Sequence, residues 1–579
     1  MEYLPSDIMK RLRTRLEHLY GEDIAARLLE RLGLLVGRYM MPDGVACDET
    51  CSSWDQRDSL LITYGDMLTV DGEKPLVTLH RFLNTYLRNV IHGVHILPFY
   101  PYSSDDGFSV IDYRKVDESL GDWGHIAAIG QDFRLMVDLV LNHVSSESEW
   151  FRQYQNGIAP ARGYFISLDP ETDIGSVTRP RTSPLLTLTQ TPRGERWVWT
   201  TFSADQIDLD FSNQDVLFEF LDILLFYVRQ GARIIRLDAI AYLWKQLGTS
   251  CVNLPETHEI VKLLRDVLDL YASRVLLLTE TNLPHEENIS YFGQGDEAQM
   301  VYQFSLPPLL LHALLTGTTR YLSEWAAGMQ PPPAGCTYLN FTASHDGIGV
   351  RPLEGLVPDA EIRALVEAVQ RRGGHVSSRT DAEGRESPYE LNITYFDALS
   401  DPYEQDTDQQ IARFLCSQTV MLSLRGIPAI YFHSLTGSRN DYEGVARSGH
   451  ARSINRRRWN ARELATALND PASHTSRVFH EYVRRIKIRS EHPAFHPDGL
   501  QHILDLEDGL FGIERRAPGG QEIILAISNM SDKPRVLPLQ SLLSGYDAGS
   551  WFELIDRGEV YAAQESMELE PYASYWFCA

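Results

Sequence analysis

Long apolar runs are missing from this sequence of 579 residues. No stretch reaches the roughly 18 consecutive apolar residues that a membrane-spanning helix needs. The first residues, MEYLPSDIMKRLRTRLEHLYG, mix charged residues with leucine and lack the apolar segment of a secretory signal peptide. We therefore expect a cytoplasmic protein that neither spans nor binds a membrane.

Cysteine is also scarce, with six residues in the whole chain. So few cysteines, widely spaced, do not make the dense disulfide framework of a small secreted domain, and they suit a reducing compartment. Only Cys47 and Cys51 are close in sequence. A C-x3-C pair without a second pair or a nearby histidine is a weak zinc motif, so we expect free thiols and no metal.

The chain has fewer positively charged than negatively charged residues. The chain has 53 Lys and Arg against 79 Asp and Glu, a formal net charge of −26, which repels nucleic-acid phosphates and anionic lipid. The expected partners are therefore small molecules, and an anionic one needs a locally built cationic site. Hydrophobic residues make up 43% and aromatic residues 10% of the chain, enough for a large core and two to four domains.

Eight short apolar runs alternate with helical stretches through the middle of the chain. They are rich in β-branched and aromatic residues, as buried parallel strands are. Eight strand–helix units predict an α/β fold of the (β/α)8 type, a TIM barrel, rather than an open sheet. The runs lie at 59–67, 93–102, 134–144, 232–243, 274–282, 300–307, 337–347 and 428–434.

Other segments lie outside this alternation. An amphipathic pattern at the start predicts an N-terminal helical extension, and turn-separated runs near the end predict a C-terminal antiparallel β domain. Two long intervals predict insertions after strands 3 and 7, on the face where barrel enzymes have their active sites. The predicted boundaries are 1–57 for the extension, 58–144 and 206–490 for the barrel, 145–205 and 348–425 for the insertions and 491–579 for the C-terminal domain.

Polar residues stand at the carboxyl ends of the predicted strands, where a barrel places its chemistry. Asp238 and Glu280 end neighbouring strands, and Arg236 shares its side of the strand with Asp238, where it favours the ionised carboxylate. Two carboxyl groups about 5–5.5 Å apart suit retaining glycoside chemistry, in which one attacks the anomeric carbon and the other protonates the leaving oxygen. Further candidates near strand ends are Asp105, Phe108, Asp138, His143, His345 and Asp346.

Four motifs around these residues resemble the α-amylase superfamily, glycoside hydrolase family 13: DLVLNH (138–143), RIIRLDAIA (233–241), LLTETN (277–282) and FTASHD (341–346). The resemblance implies that Asp238 is the nucleophile, Glu280 the general acid/base and Asp346 the transition-state stabiliser. It implies a glucose pocket formed by Asp105, Phe108, His143, Arg236 and His345.

The same resemblance assigns two more residues. Arg452 in HARSINRRRW resembles the arginine that pairs with the pocket aspartate, Asp105. Asn142 resembles a calcium ligand of amylases. The branch described next generally lacks that calcium, and we expect neither metal nor cofactor.

Other stretches, LPFYPYSSDDGFSVIDYRKVD, HDGIGVRPLEGLVPD, YELNITYFDAL and GSRNDYEG, resemble the sucrose-phosphorylase branch, which transfers glucose from an α-glucoside to inorganic phosphate. Arg351-Pro352 resembles the branches with anionic acceptors, the glucosylglycerate and sucrose 6'-phosphate phosphorylases, and an arginine suits a carboxylate or a phosphate. The long N-terminus is most similar to the glucosylglycerate phosphorylases. Tyr389 resembles the tyrosine that this branch places near phosphate. A cationic cluster in the second insertion is a further candidate anion site: Arg371, Arg372, His375, Arg379 and Arg385.

The reaction that this resemblance implies is phosphorolysis of 2-O-α-glucosylglycerate to α-glucose 1-phosphate and glycerate, in a monomer or homodimer. Sucrose phosphorylase, sucrose 6'-phosphate phosphorylase, glucosylglycerol phosphorylase and a plain α-glucosidase stay open as alternatives, because acceptor and phosphate contacts separate them. A catalytically inactive sugar-binding protein is the alternative from another class, and the three intact carboxylates argue against it.

Overall fold

The computed structural model describes residues 6–39, 53–380, 386–401, 403, 407–546, 550–556, 558–560 and 565–579. Cys47, Cys51 and Arg385 lie outside these ranges. Within them, no helix is both long enough and apolar enough to cross a bilayer. The cysteines that the structure describes are free thiols: Cys251, Cys336, Cys416 and Cys578.

Eight parallel strands close into a barrel, which confirms the (β/α)8 prediction. Each predicted run overlaps one strand. The strands are β1 (Leu60–Thr63), β2 (Gly93–Ile96), β3 (Arg134–Val140), β4 (Ala232–Asp238), β5 (Leu276–Thr279), β6 (Met300–Tyr302), β7 (Thr337–Phe341) and β8 (Ile427–Tyr431). The strands end earlier than most of the runs, and Asp238 is the last residue of β4 while Glu280 follows β5 directly.

Helices surround the barrel and extend it at both termini. Their apolar faces cover the strands, which are buried on both sides as parallel barrel strands are. The helices are α1 (Ser6–Tyr20), α2 (Glu22–Tyr39), α3 (Pro75–Phe82), α4 (Trp123–Asp132), α5 (Glu149–Asn156), α6 (Gln214–Arg229), α7 (Pro255–Tyr271), α8 (His285–Ile289), α9 (Leu306–Thr316), α10 (Arg320–Gly328), α11 (Asp359–Arg371), α12 (Tyr395–Leu399), α13 (Thr407–Ser423), α14 (Phe432–Leu435), α15 (Tyr442–Ser448), α16 (Ala461–Asn469), α17 (His474–Glu491) and α18 (Leu539–Leu543).

The N-terminal helices pack on the outside of the barrel. Leu12 and Leu16 of α1 are fully buried, and α1 lies against α7 while α2 lies against α6. Ion pairs flank this apolar seam, including Arg11 to Asp266 at 2.6 Å. The extension therefore supports the two helices that follow and precede β4.

The insertion after β3 begins and ends with a short antiparallel pair, His143–Ser145 with Gln206–Asp208. Beyond this pair, a three-stranded sheet is formed by Ser167–Leu168, Leu186–Thr191 and Gly194–Trp199. This arrangement returns the chain to the rim of the barrel, so residues of the insertion face the cavity.

The interval after β7 also contains a three-stranded sheet, formed by Ile348–Gly349, His375–Thr380 and Glu386–Asn392. The interval 348–425, predicted as an insertion, ends with α13, which packs against α17 and occupies the barrel-helix position before β8. Its thirteen buried residues make it a core helix rather than part of a surface loop.

The C-terminal part forms a six-stranded antiparallel sheet, as predicted, together with a smaller strand pair. Two buried arginines donate to backbone carbonyls where this sheet meets the barrel. Arg515 of the sheet donates to Ser423 O, and Arg489 of the barrel helix α17 donates to Leu422 O, Gly426 O and, just before the first sheet strand, Phe495 O. Burial lowers the pKa of Arg489 to about 10. The sheet strands are Leu500–Ile503, Leu510–Arg516, Ile523–Asn529, Trp551–Glu553, Gly558–Val560 and Ser574–Cys578, and Arg535–Leu537 pairs with Met567–Leu569. A short parallel pair, Leu68–Thr69 with Trp459–Asn460, belongs to the barrel part of the chain.

Candidate active site

A cavity with about 630 Å³ of empty space opens at the carboxyl ends of the barrel strands. Side chains from both insertions form part of its wall, so the insertions enclose the strand ends. Arg236 lies on β4 below the cavity, and Arg351 lies outside the lining. The predicted site residues that line it are Asp105, Phe108, His143, Asp238, Glu280, His345, Asp346, Tyr389 and Arg452.

Asp238, the predicted nucleophile, is the last residue of β4. Arg236 donates from Nη1 to Oδ1 of Asp238 and to Oδ1 of Asp138, each at 2.6 Å. Asp138 stands opposite Arg236 in the register of β3 and β4, which brings the three groups together. Burial raises the pKa of Asp238, and the Arg236 guanidinium opposes that rise.

Glu280, the predicted general acid/base, follows β5 and faces Asp238 across the strand ends. The backbone N–H of Ala239 donates to Glu280 Oε2 at 3.0 Å. Ala239 has a φ of +49°, a left-handed conformation that turns the chain sharply after the nucleophile. Burial raises the pKa of Glu280 to about 7, and the charges of Asp238 and Asp346 add to the rise against Arg236. Glu280 is thus suited to carry a proton that Asp238 does not.

Asp346, the predicted stabiliser, is held as an anion. Arg452 Nη1 lies 2.6 Å from Asp346 Oδ1, and Arg452 also donates to Glu390. Burial alone would raise the pKa of Asp346, but the charges of Arg452, Arg456 and Arg236 outweigh it and lower that pKa far below its usual range. The two barrel carboxyls Glu280 and Asp346 therefore differ strongly in proton affinity, as an acid and a charge stabiliser require.

The predicted pairing of Arg452 with Asp105 is corrected by the structure. The guanidinium in reach of Asp105 belongs to Arg456, at 3.7 Å, and Arg456 contacts Asp106 at 2.6 Å. Arg452 and Arg456 lie four residues apart at the two ends of one short helical turn. The sequence shows both arginines of HARSINRRRW, but only the turn decides which one reaches which carboxylate.

The pocket beside the carboxylates has an aromatic wall. Phe108 stacks on His345 with ring centroids 4.7 Å apart and planes 5° apart. Burial lowers the pKa of His345 well below its usual value, so the ring is neutral. His143 Nε2 lies 2.9 Å from Phe108 O and 3.1 Å from Gln206 Nε2. Apolar ring faces beside hydrogen-bonding groups of this kind suit a sugar.

The charges of arginines from three segments act on Tyr242, which lines the cavity. Burial raises the pKa of Tyr242, and Arg351, Arg181 and Arg379 all oppose that rise, Arg351 most strongly. Arg181 comes from the first insertion and lies 5.4 Å from the ring centre of Tyr389. These cations supply the local positive charge that an anionic ligand needs in so acidic a protein.

The individual arginines differ in how they are held. Nε of Arg351 is buried without a hydrogen-bond partner among the described residues. Arg379 is tied to Glu354 at 2.7 Å. The other described arginines of the predicted cationic cluster point elsewhere, because Arg371 lies 3.7 Å from Glu367 and Arg372 donates to Ser400 O. The cluster is thus not one site.

Sequence reasoning missed several residues of the cavity. Arg181 stands in a segment rich in Pro, Ser and Thr with no periodic pattern, so nothing in the sequence separated it from its neighbours. Tyr242 directly follows the motif RIIRLDAIA (233–241), but the direction of its side chain depends on the turn there; Gln206 stands apart from every recognised motif. The missed lining residues include Arg181, Phe202, Gln206, Tyr242, Asn282 and Glu390.

Asn142, which the resemblance relates to calcium, already faces a cation of the chain itself, and so does its neighbour Asp208. Lys245 Nζ lies 2.5 Å from Asn142 Oδ1 and 2.8 Å from Asp208 Oδ2. Both Lys245 and Asp208 are almost fully buried. A calcium ion here would meet the ammonium group, so the residues present do not fit calcium.

Comparison with known proteins supports the geometric interpretation. Residues 85–320 match the family described as Alpha amylase, catalytic domain. Glucosylglycerate phosphorylase from Allomeiothermus silvanus is 46% identical over 96% of this chain and 98% of its own length, and the enzyme of that name from Spirochaeta thermophila is 46% identical over 98% of each chain. Relatives named sucrose phosphorylase are 27–33% identical.

A solved structure shares the fold over most of the chain. The crystal structure of sucrose 6F-phosphate phosphorylase from Thermoanaerobacter thermosaccharolyticum superposes with a TM-score of 0.72 at 25% identity, covering 84% of this chain and 96% of that one. The chain belongs to the α-amylase family and, within it, to the group that contains the glucosylglycerate and sucrose phosphorylases.

Proposed function

We propose that the protein is a retaining glucosylglycerate phosphorylase, which transfers glucose from 2-O-α-glucosylglycerate to inorganic phosphate. The observation that carries the proposal is the combination of three carboxylates with different proton affinities and an arginine-rich acceptor side. The 46% identity to glucosylglycerate phosphorylases over nearly the whole chain favours glycerate over the fructose of the more distant sucrose phosphorylases.

In the first half-reaction, Asp238 attacks the anomeric carbon while Glu280 gives its proton to the glycosidic oxygen. The bond from carbon to the glycerate oxygen breaks, glycerate leaves, and a β-glucosyl ester of Asp238 remains. Asp346, held ionised by Arg452, faces the positive charge that develops on the sugar ring.

In the second half-reaction, phosphate takes the place that glycerate has left. A phosphate oxygen attacks the anomeric carbon from the opposite face, the ester bond to Asp238 breaks, and Glu280 accepts a proton from phosphate. The product is α-glucose 1-phosphate, with net retention. Arg181 and the arginines near Tyr242 favour phosphate over water by charge and position.

The first test is a parallel assay of glucose 1-phosphate formation from four glucosides with phosphate: glucosylglycerate, sucrose, sucrose 6'-phosphate and glucosylglycerol. We expect turnover with glucosylglycerate and at most weak turnover with the other three. A stronger signal from sucrose contradicts the glycerate assignment and leaves the barrel chemistry intact. Glucose released at the same rate with and without phosphate makes the protein a hydrolase.

Replacing Arg351 by alanine tests the anionic acceptor side. In the synthetic direction, with glucose 1-phosphate as donor, we expect kcat/KM for glycerate to fall by about 10- to 100-fold, because a charge-assisted contact to a carboxylate is lost. The kcat/KM for glycerol, which has no carboxylate, changes by less than about 3-fold. Arg371→Ala removes an exposed arginine of the same insertion and serves as the control. Equal losses with glycerate and glycerol remove Arg351 from the acceptor side.

The raised pKa of Glu280 predicts the pH dependence of the first half-reaction. Glu280 must be protonated to act as an acid, and its pKa is raised to about 7. We therefore expect kcat/KM for glucosylglycerate to fall as the pH rises above about 7. At low pH it falls when Asp238, whose pKa is also raised, takes up a proton. In a double-displacement reaction this parameter is independent of phosphate, so the profile is measured at several phosphate concentrations. An alkaline limb that moves with phosphate concentration contradicts the assignment.

A further inference from the structure

We infer that His95 is a positioning residue for the nucleophile, acting through Asp138 and Arg236. His95 lies on β2, is 1% exposed, and does not line the cavity. The inference rests on the proposed function, because the reaction that it serves is the transfer of glucose to Asp238.

Three contacts connect His95 to the nucleophile in a continuous chain. His95 Nε2 lies 2.6 Å from Asp138 Oδ2, Asp138 Oδ1 accepts from Arg236 Nη1 at 2.6 Å, and the same Nη1 donates to Asp238 Oδ1 at 2.6 Å. The chain crosses three neighbouring strands, β2, β3 and β4. Each contact joins a charged or ionisable pair, the stronger class of hydrogen bond.

The strand register explains why these side chains meet. His95 stands opposite Met136, and Asp138, two residues further along β3, points to the same side of the sheet. Asp138 in turn stands opposite Arg236, two residues before Asp238 on β4. The ring of His95 therefore lies one layer of side chains below Asp138 and contacts it from there. All four side chains, those of His95, Asp138, Arg236 and Asp238, lie on the inner side of the barrel.

The second ring nitrogen of His95, Nδ1, indicates which nitrogen carries the proton. Nδ1 is buried and has no hydrogen-bond partner among the described residues, so the arrangement favours a ring that carries its proton on Nε2 and donates it to Asp138. Asp138 is fully buried, with Oδ2 held by His95 and Oδ1 by Arg236. Burial would raise its pKa, but His95 and Arg236 outweigh burial and lower it.

If the His95 donor is removed, the fully buried Oδ2 of Asp138 loses this hydrogen bond. A buried carboxylate oxygen without its hydrogen bond costs free energy. Asp138 can then regain a partner by turning both oxygens to Arg236. That movement draws Nη1 away from Asp238 and leaves the attacking carboxylate misplaced. Small displacements of a reacting group cost large factors in rate.

The experiment follows exchange of labelled inorganic phosphate into glucose 1-phosphate, which needs the glucosyl-enzyme but no glycerate. The variants are His95→Leu, His95→Asn and His95→Gln. Leucine removes the donor, asparagine holds its amide too short to reach Asp138, and the glutamine amide lies near the place of Nε2. His312→Leu is the control, because His312 is 2% exposed and its Nε2 also contacts a carboxylate, Glu361, at 3.0 Å outside the site.

We expect His95→Leu and His95→Asn to lower kcat of exchange by about 10- to 100-fold, with KM for glucose 1-phosphate within about 2-fold. His95→Gln and His312→Leu stay within about 3-fold of the parent protein. A His95→Asn variant as active as His312→Leu, or a His95→Gln variant as slow as His95→Leu, overturns the inference. If His95→Leu does not fold, the difference in kcat of exchange between His95→Asn and His95→Gln tests the inference. A parent protein that exchanges no phosphate contradicts the proposed function instead.

Discussion

Replacing Asp238 by alanine abolishes both phosphorolysis and phosphate exchange, with an expected loss of about 10⁴-fold or more. No other group can form the covalent glucosyl intermediate, and losses of this size are typical when a nucleophile is removed. Arg236 keeps Asp138 as a partner in this variant, so the barrel core retains its charge balance. The measurement is the exchange rate of the purified variant beside Asp132→Asn, a surface carboxylate that pairs with His80.

A second experiment distinguishes the role of nucleophile from that of charge stabiliser. With α-glucosyl fluoride as donor and azide in solution, Asp238→Ala has space for azide on the β face and yields β-glucosyl azide. Asp346→Ala keeps the Asp238 carboxylate and yields no β product by this route. Residual exchange above about 1% in Asp238→Ala contradicts the assignment, and so does an α-configured azide product.

Replacing Glu280 by glutamine is expected to lower kcat/KM for glucosylglycerate by about 10²- to 10⁴-fold, the usual contribution of a general acid. Glutamine has no acidic proton to give to the departing glycerate oxygen. Fluoride needs no such proton, so transfer from α-glucosyl fluoride falls by less than about 10-fold. The two donors are compared in the same preparation.

The pH profile gives an independent check on Glu280→Gln. The alkaline limb near pH 7 belongs to Glu280, so it disappears in the variant while the acidic limb from Asp238 stays. Equal losses with fluoride and glucosylglycerate mean that the substitution disturbs the site as a whole. In that case Glu280 is not the acid.

The barrel could be predicted because its determinants are local. Eight apolar runs of strand length, each followed by a helical segment, leave few other architectures. That three carboxylates meet at one face could be predicted for the same reason, since Asp238, Glu280 and Asp346 each stand at or just beyond the end of a strand, and strand ends meet at one face; their proposed roles come from the family resemblance. The structure adds which of them holds a proton, because that depends on burial and on distances between strands.

The acceptor side could not be predicted to the same depth, because it is formed by irregular segments. Arg181, Arg351 and Arg379 come from two insertions, and their charges act on Tyr242 only after each insertion has folded back. The same limit explains Arg452 and Arg456, which differ by one helical turn. It also explains why α13, a barrel helix of mixed composition, lies inside the interval that the sequence predicts as an insertion.

Lys245 has a consequence for how the first insertion stays attached. Asn142 and Asp208 lie where the insertion leaves and rejoins the barrel, and the ammonium group contacts both. An ion bound from solution follows mass action and leaves the site on dilution or chelation. The Lys245 ammonium group is covalently part of the chain, so it cannot dissociate from this junction when the protein is diluted. The wall that carries Arg181 therefore keeps its position regardless of the calcium level around the protein.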